Sequence, residues 1–298
     1  MGVVGDIEKR LSQIRAREPD GDMSELRTST MTHLVWCPPA WRAKARATLA
    51  GLVERHPART IFLIPCAGRI DRIEATVELK DFELEGVSRE VVSEVIEIRL
   101  HGTPIHHPAS IVLPLLVSDL PVFCRWRGEP PWDSNEFAEI TGIADRLVVD
   151  SSEWTTTPAA YGTLARLFDR VAVSDIAYSR TLPWRRRLAE LWPEIGSIDK
   201  LRVEGPRADA ELVAGWLRSR LKREIALTRR NATEVKAMWV DGDPVSSPGE
   251  PGSGSDLLST ELDQFGRDSV YEAAVKAAIP ASAPRRRRSG SRAPSRTS

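Results

Sequence analysis

The chain has 298 residues, which favours two domains of ordinary size over one. Its apolar share of 41% and charged share of 28% are typical of a globular protein, and no uninterrupted apolar stretch approaches the roughly 18 residues of a membrane span. The N-terminus mixes Asp6, Glu8 and Lys9 with its apolar residues, so no signal peptide is expected and the cytoplasm is the predicted location.

The net charge of zero hides an uneven distribution. Residues 281–298 contain six arginines and no acidic residue, so the rest of the chain has six more acidic than basic residues. An acidic body argues against nucleic-acid binding by the core, because phosphate neutralisation needs a basic face. The composition of the tail predicts a disordered, solvated segment. The alternative is that residues 285–288 bind nucleic acid, an anionic membrane or an acidic partner.

The first elements of the chain predict a Rossmann-like start. Apolar residues at helical spacing predict a helix over 7–17, within an N-terminal helical segment that covers residues 1–28. A strand is predicted over 30–37, a helix over 41–54 and a second strand over 60–66. This order forms a βαβ unit, whose parallel strands are joined by a right-handed crossover.

The next residues predict the rest of a mixed sheet. Residues 73–80 and 91–100 alternate apolar with polar side chains, which indicates half-exposed antiparallel strands added to the sheet edge. Buried strands are predicted at 122–126 and 147–149. The sequence therefore predicts a mixed α/β domain over residues 29–156.

A smaller α+β domain is predicted over residues 157–280, before the tail at 281–298. Its predicted strands cover 198–204 and 235–240. Its predicted helices cover 158–171, 184–192, 212–221, 256–265 and 269–279. Asp268 is the expected N-cap of the last helix.

The segment from His106 to Pro131 is the most informative part of the sequence. Pro108 can begin a helix that Pro114 kinks, and the buried strand at 122–126 follows it. The turn after this strand carries the expected partner contacts, which are Trp126, Arg127, Gly128, Glu129 and Trp132. Tryptophan and arginine dominate contact hot spots between proteins, so we expect Trp126 and Trp132 to be exposed. The alternative is a structural turn that locks the two domains together.

Three cysteines, Cys37, Cys66 and Cys124, lie in or at the ends of predicted strands. Their odd number excludes a complete disulfide framework, and their spacing matches no zinc-binding pattern, so no metal site is expected. Buried apolar side chains are the simplest interpretation. The alternative is that strand ends bring two thiols together as a redox sensor.

No pattern in the sequence supports catalysis. His106 and His107 are adjacent, and no partner at helical spacing completes a metal or acid–base site. The first predicted strand is followed by Pro38 and Pro39, which cannot donate backbone N–H groups to a phosphate. We therefore expect no catalytic residues and no cofactor.

The segment SIVLPLLVSDLPVFCRWRGEPP resembles the signature of the glucose-6-phosphate dehydrogenase assembly protein family, OpcA. Further segments resemble this family, occur in its order and extend the resemblance over residues 7–278. They are HPART from His56, SD from Ser174 with TLPWR from Thr181, AGWL from Ala214 and DSVYE from Asp268.

The resemblance implies a non-catalytic protein that binds glucose-6-phosphate dehydrogenase and promotes its active oligomer in the oxidative pentose-phosphate pathway. It also implies thiol control in some members. Arg59 and Arg185 match family positions and are candidate ligands of a phosphate group, with internal ion pairs as the alternative. Two other functions stay open. One is a sugar-phosphate-binding protein or enzyme with an arginine-lined pocket at the strand ends, and the other is a nucleic-acid-associated factor that acts through the arginine tail.

Overall fold

The computed structural model describes residues 3–15, 29–52, 55–83, 90–249 and 252–280. The arginine-rich tail, residues 16–28 of the N-terminal segment and the turn around Gly86 lie outside the described residues. None of the helices in the described ranges has the length and hydropathy of a membrane span.

Seven strands of the described chain form the large sheet, in the order β3-β4-β2-β1-β5-β6-β7. They are β1 (Met31–Trp36), β2 (Ala58–Cys66), β3 (Arg72–Glu83), β4 (Glu90–His101), β5 (Val122–Trp126), β6 (Arg146–Val149) and β7 (Ala172–Asp175). Every neighbouring pair is parallel except β3 and β4. The mixed α/β fold with its βαβ start is therefore confirmed, but β4 pairs parallel with β2, and only β3 is an antiparallel addition.

The helices of the described chain cover both faces of this sheet. They are α1 (Val3–Arg15), α2 (Arg42–Ala50), α3 (Pro108–Val112), α4 (Asn135–Ile143), α5 (Tyr161–Leu164), α6 (Ile176–Arg180), α7 (Leu182–Glu190), α8 (Arg207–Leu221), α9 (Gly254–Leu262) and α10 (Ser269–Ala278). After α3 the chain continues as a 3-10 turn, Leu113–Leu115, because Pro114 lacks the backbone donor that an α-helix needs. Asp268 caps α10 as expected, and it accepts hydrogen bonds from the backbone of Val270 and Tyr271.

The direction of winding reverses in the middle of the sheet. Residues of α2 pack with Val35 and Phe62 on one face, whereas residues of α4 pack with Leu34 and Trp36 on the other. The connections that leave β1 and β5 therefore lie on opposite faces. In doubly wound folds this arrangement defines a switch point, and ligands bind there at the carboxyl ends of the strands.

A second sheet has four strands in the described chain, in the order β11-β10-β8-β9. They are β8 (Lys200–Gly205), β9 (Ala226–Asn231), β10 (Ala237–Val240) and β11 (Asp243–Val245). Helix α8 joins the two cores, because Ala208 and Leu212 belong to the large core and Val213 and Leu217 to the small one. The prediction of a smaller C-terminal α+β fold is thus confirmed.

Other details also differ from the expected elements. The continuous helix over 158–171 is wrong, since only α5 and a 3-10 turn, Ala165–Leu167, form there. Gly162 and Thr163 have low helix propensity, which agrees with the short length of α5. Strand β7 was not expected; it pairs with β6, so the large sheet takes a strand from beyond residue 156.

Candidate functional site

Trp41 and Arg127 lie together at the carboxyl ends of β1 and β5, where this class of fold binds ligands. Arg127 follows β5 directly, is 5% exposed, and places its guanidinium 4.8 Å from the ring centroid of Trp41. Gly128 has a φ of 78°, and a Cβ at this position would lie 3.3 Å from the Trp41 indole nitrogen. The switch-point crevice therefore holds Trp41 and Arg127.

A buried ion network lies beside this crevice. Oε1 of Glu153 is 3.0 Å from an Nη atom of both Arg125 and Arg127, and the side chains of all three are buried. Oε2 of Glu153 accepts a hydrogen bond from the backbone of Gly128, with a distance of 2.6 Å. Burial, and then the charge of Arg125, lower the pKa of Arg127. One carboxylate thus holds two guanidinium groups and the turn after β5.

The expectation that Trp126 is exposed is wrong. Its ring stacks on Trp36 with centroids 4.7 Å apart, and Phe137 of α4 meets its other side edge-on at 5.0 Å. Trp126 is 1% exposed because the parallel sheet is covered by helices on both faces. Trp126 and Arg127 therefore act within the core, and neither offers a free surface.

The rest of the turn binds the loop that follows β6. Glu129 accepts hydrogen bonds from the backbone and hydroxyl of Thr155, at 2.8 and 2.9 Å, and from Thr156. Trp132 packs edge-on against Phe137 and Trp154. These contacts favour the interpretation of the segment as a structural lock. Glu129 and Trp132 keep partial exposure and stay candidates for partner contact.

Arg59 has a structural role in the described chain. Its Nε lies 2.6 Å from a carboxylate oxygen of Glu94, and its Nη1 donates to the carbonyl of Leu115 at 2.8 Å. The side chain thus ties β2 to β4 and to the turn after α3. This geometry agrees with an internal ion pair of Arg59, which was the alternative to its binding a phosphate group.

No disulfide joins the three cysteines, and the sheet separates Cys124 from the other two. Cys37 is buried on the face that packs with α2, where Cys66 is a partly buried neighbour, whereas Cys124 lies in the core on the opposite face. Burial raises the pKa of Cys37 to about 11 and that of Cys124 to about 12, and it also raises the pKa of Cys66. Raised thiol pKa values disfavour the reactive thiolate at neutral pH. A redox role of these thiols stays a prediction.

Arg185 lies in a cavity of about 420 Å³ between α6, α7, α9 and α10. Its guanidinium is 3.6 Å from the ring centroid of Tyr178. It donates to the carbonyl of Tyr178 and to the hydroxyl of Thr181, both at 3.2 Å. Among the described residues no carboxylate forms an ion pair with Arg185, so the alternative that explains Arg59 does not apply to it.

Several charged residues near these sites were not expected from the sequence. Arg180 binds both oxygens of Asp209, at 2.8 and 2.9 Å, and lies 3.6 Å from Asp150. Asp175 accepts from the backbone of Ser151 and Ala177, and burial, with the charge of Asp150, raises its pKa to about 7. The sequence contained a signal for these residues, since Asp150 directly follows the buried strand β6 and Asp175 is the last residue of the buried strand β7.

In the described ranges no three His, Cys, Asp or Glu side chains are arranged to hold a metal ion. His106 and His107 are exposed and pair with Glu136 and Glu139 through contacts of 3.1 and 3.2 Å.

Two family models, both of the OpcA family, match the chain. One describes the N-terminal domain of a glucose-6-phosphate dehydrogenase subunit, and it matches residues 50–166. The other describes the C-terminal domain of the same protein, and it matches residues 171–275. The first match contains the Glu153 network and the second contains the cavity with Arg185.

The chain is also similar to a curated protein of Synechocystis sp. described as "Putative OxPP cycle protein OpcA". The two sequences are 26% identical over 182 residues, which cover 57% of this chain and 38% of the relative. The similarity therefore spans well under half of the relative's length.

Proposed function

We propose that this chain, which belongs to the OpcA family of glucose-6-phosphate dehydrogenase assembly proteins, binds that dehydrogenase and favours its active oligomer as an allosteric activator. It would act by binding the active state more tightly than the inactive one, because a ligand shifts an equilibrium only by its differential affinity. In this role the chain works in the cytoplasm and performs no chemical step.

The observation that carries this function is the pair of Trp41 and Arg127 at the switch point between β1 and β5. A dehydrogenase of this fold class would hold its dinucleotide at the switch point, on free backbone amides and an open cleft. Here Pro38 and Pro39 follow β1, and the guanidinium of Arg127 lies over the ring of Trp41 at this position. This arrangement supports a binding protein over an oxidoreductase.

The test uses the purified full chain and its cognate dehydrogenase. We expect the two to co-elute in size-exclusion chromatography, and the dehydrogenase oligomer to become larger or longer-lived in the mixture. Titration of the chain into a dehydrogenase assay should lower KM for glucose 6-phosphate, raise kcat, or both. The chain alone, incubated with glucose 6-phosphate and NADP⁺, should give no reduced nucleotide.

Two results would contradict this function. One is the absence of co-elution together with unchanged KM and kcat over the whole titration. The other is turnover of glucose 6-phosphate by the chain alone, which would favour the sugar-phosphate enzyme.

A further inference from the structure

The described chain contains a cavity that the proposed function leaves without a role. It measures about 420 Å³ and lies where the end of β7 meets α6, α7, α9 and α10. Binding sites for small organic molecules have volumes from about 300 Å³ upward. The cavity therefore has the size of a site for a small metabolite.

Arg185 supplies a positive charge to this cavity, and no carboxylate of the described chain forms an ion pair with it. Burial lowers the pKa of Arg185, and the nearby groups of Tyr178, Asp268 and Glu261 oppose that shift. The residue is 9% exposed, and its guanidinium donates to the carbonyl of Tyr178 and the hydroxyl of Thr181, which are both neutral groups. A buried charge without a counter-ion is costly, and an anion in the cavity would offset that cost. Arginine is also the residue whose planar donors best match carboxylate and phosphate oxygens.

Three further lining residues carry buried polar atoms without a partner. Oδ2 of Asp175 and the hydroxyls of Tyr178 and Tyr271 meet no hydrogen-bond geometry within the described chain. Asp175 and Tyr271 are 1% exposed, and Tyr178 is 4% exposed. Each buried unsatisfied group destabilises the empty protein, so such groups need a partner. Hydroxyl groups of a ligand can donate to Asp175 and accept from Tyr271.

Two acidic residues of the cavity accept hydrogen bonds from the protein itself. Oδ1 of Asp268 accepts two backbone N–H groups, and Glu261 accepts from the hydroxyl of Ser179. Burial raises the pKa of Glu261 and raises that of Asp175 to about 7, so both carry less negative charge than exposed acids. Arg180, which also lines the cavity, is paired with Asp209. Arg185 is therefore the lining arginine that forms no ion pair within the described chain, and Asp268 places a charge of opposite sign in the same cavity wall.

We propose that this cavity binds a small organic anion with hydroxyl groups, either a sugar phosphate or a sugar acid. Arg185 holds the charged group, and Asp175 and Tyr271 bind the hydroxyls. The site lies apart from the switch-point crevice, and its occupation requires no dehydrogenase.

The test titrates the full chain alone with glucose 6-phosphate, gluconate, glucose and inorganic phosphate, followed by calorimetry and by the rise in Tm. Glucose 6-phosphate or gluconate, or both, should bind more tightly than glucose and than inorganic phosphate. Whichever of the two binds more tightly shows whether the site prefers a phosphate or a carboxylate. Arg185→Gln should weaken that binding about ten- to hundredfold, as expected for loss of a charged hydrogen bond.

Two variants separate binding from folding. Arg187→Gln is the matched control, because Arg187 lies on the same helix, is exposed and pairs with Glu190, so this variant should bind like the wild type. Thr260→Phe places a bulky ring at an exposed position of the cavity wall, and it should abolish binding without changing the Tm of the ligand-free protein.

Failure of both sugar anions to bind the wild type would overturn the site, as would binding that survives Arg185→Gln and Thr260→Phe. Equal binding of inorganic phosphate by all four proteins, an adventitious ion only, would overturn it as well.

Discussion

Asp175 shows how one buried carboxyl can link the sheet to the helices beyond it. It ends β7, caps α6 through the backbone of Ala177 and also accepts from the backbone of Ser151. Burial and the nearby charge of Asp150 raise its pKa to about 7, from an ordinary value of 3.8. The folded protein therefore keeps this proton at pH values where the unfolded chain has lost it.

This proton linkage predicts a pH dependence of stability. Between about pH 4 and pH 7 the folded state binds more protons than the unfolded state, so the contribution of Asp175 to the free energy of unfolding falls as pH rises. Asp175→Asn keeps the acceptor for both backbone donors and removes the ionisation. Its stability relative to the wild type should rise over this window by an amount on the order of 4 kcal/mol, since one pKa unit corresponds to about 1.4 kcal/mol.

Urea unfolding from pH 4 to pH 8 measures this difference. Asp145→Asn is the control, because Asp145 is exposed and likewise accepts from a backbone N–H, that of Val122. A stability difference between Asp175→Asn and the wild type that stays constant over the whole range would refute the linkage.

At the scale of elements, the contact between α8 and α10 depends on one glycine. A Cβ on Gly215 would collide with the carbonyl oxygen of Ala274 and lie 2.9 Å from Cβ of Ala278. Both neighbours belong to α10, whose side chains Tyr271 and Val275 fill the large core. Gly215 therefore allows the two helices to approach closely, which explains the glycine in the segment AGWL.

We expect Gly215→Ala to lower the free energy of unfolding by about 1–3 kcal/mol, because backbone atoms cannot move aside as a flexible side chain can. Gly142→Ala is the matched control. Gly142 is also helical, but a Cβ there would meet nothing within 4 Å, so this variant should be neutral or more stable by up to about 1 kcal/mol. Thermal unfolding of both variants measures the loss of stability. Equal Tm values of the two variants would show that α8 and α10 can move apart with no loss of free energy of unfolding.

The strands and helices with strong apolar periodicity could be predicted from the sequence. The βαβ start, β5 and α10 are examples. Strand β9 was missed because its residues are mostly exposed and two are arginines, and β7 and β11 because they have only four and three residues. Short or polar strands form only where a neighbouring strand supplies the hydrogen bonds, which is tertiary information.

The sites were harder to predict than the elements. The sequence predicts Arg127 at an exposed turn, because its counter-ion, Glu153, comes 26 residues later. Arg125 lies in the predicted buried strand, but the sequence does not show that Glu153 pairs with it. The cavity needs Arg185 of α7 beside Tyr271 of α10, which only the fold brings together. The resemblance of separate segments to one family marked these regions, but it did not indicate which side chains are buried.

At the scale of the whole molecule, a partner must bind surface that the folded chain leaves exposed. Trp126 and Arg127 are excluded by their burial, and the remaining apolar candidates among the described residues are few. The large exposed apolar side chains are Ile70, Leu113, Leu191, Trp192, Phe265 and Ile279. Trp192 is 67% exposed and adjoins Leu191, so the pair offers an apolar surface just after α7. Exposed tryptophan is the residue type most enriched in binding hot spots.

If the chain binds glucose-6-phosphate dehydrogenase as proposed, we expect Trp192→Ala to weaken that binding about tenfold or more, because truncation of a hot-spot tryptophan costs about 2 kcal/mol or more. Its Tm should stay close to that of the wild type, since the side chain is mostly exposed. Ile70→Ala is the control, because Ile70 is 82% exposed and lies in the loop between β2 and β3. Calorimetric titration with the dehydrogenase measures both affinities. Equal affinities of Trp192→Ala and the wild type would place the interface elsewhere, and Glu129 and Trp132 would be the next positions to substitute.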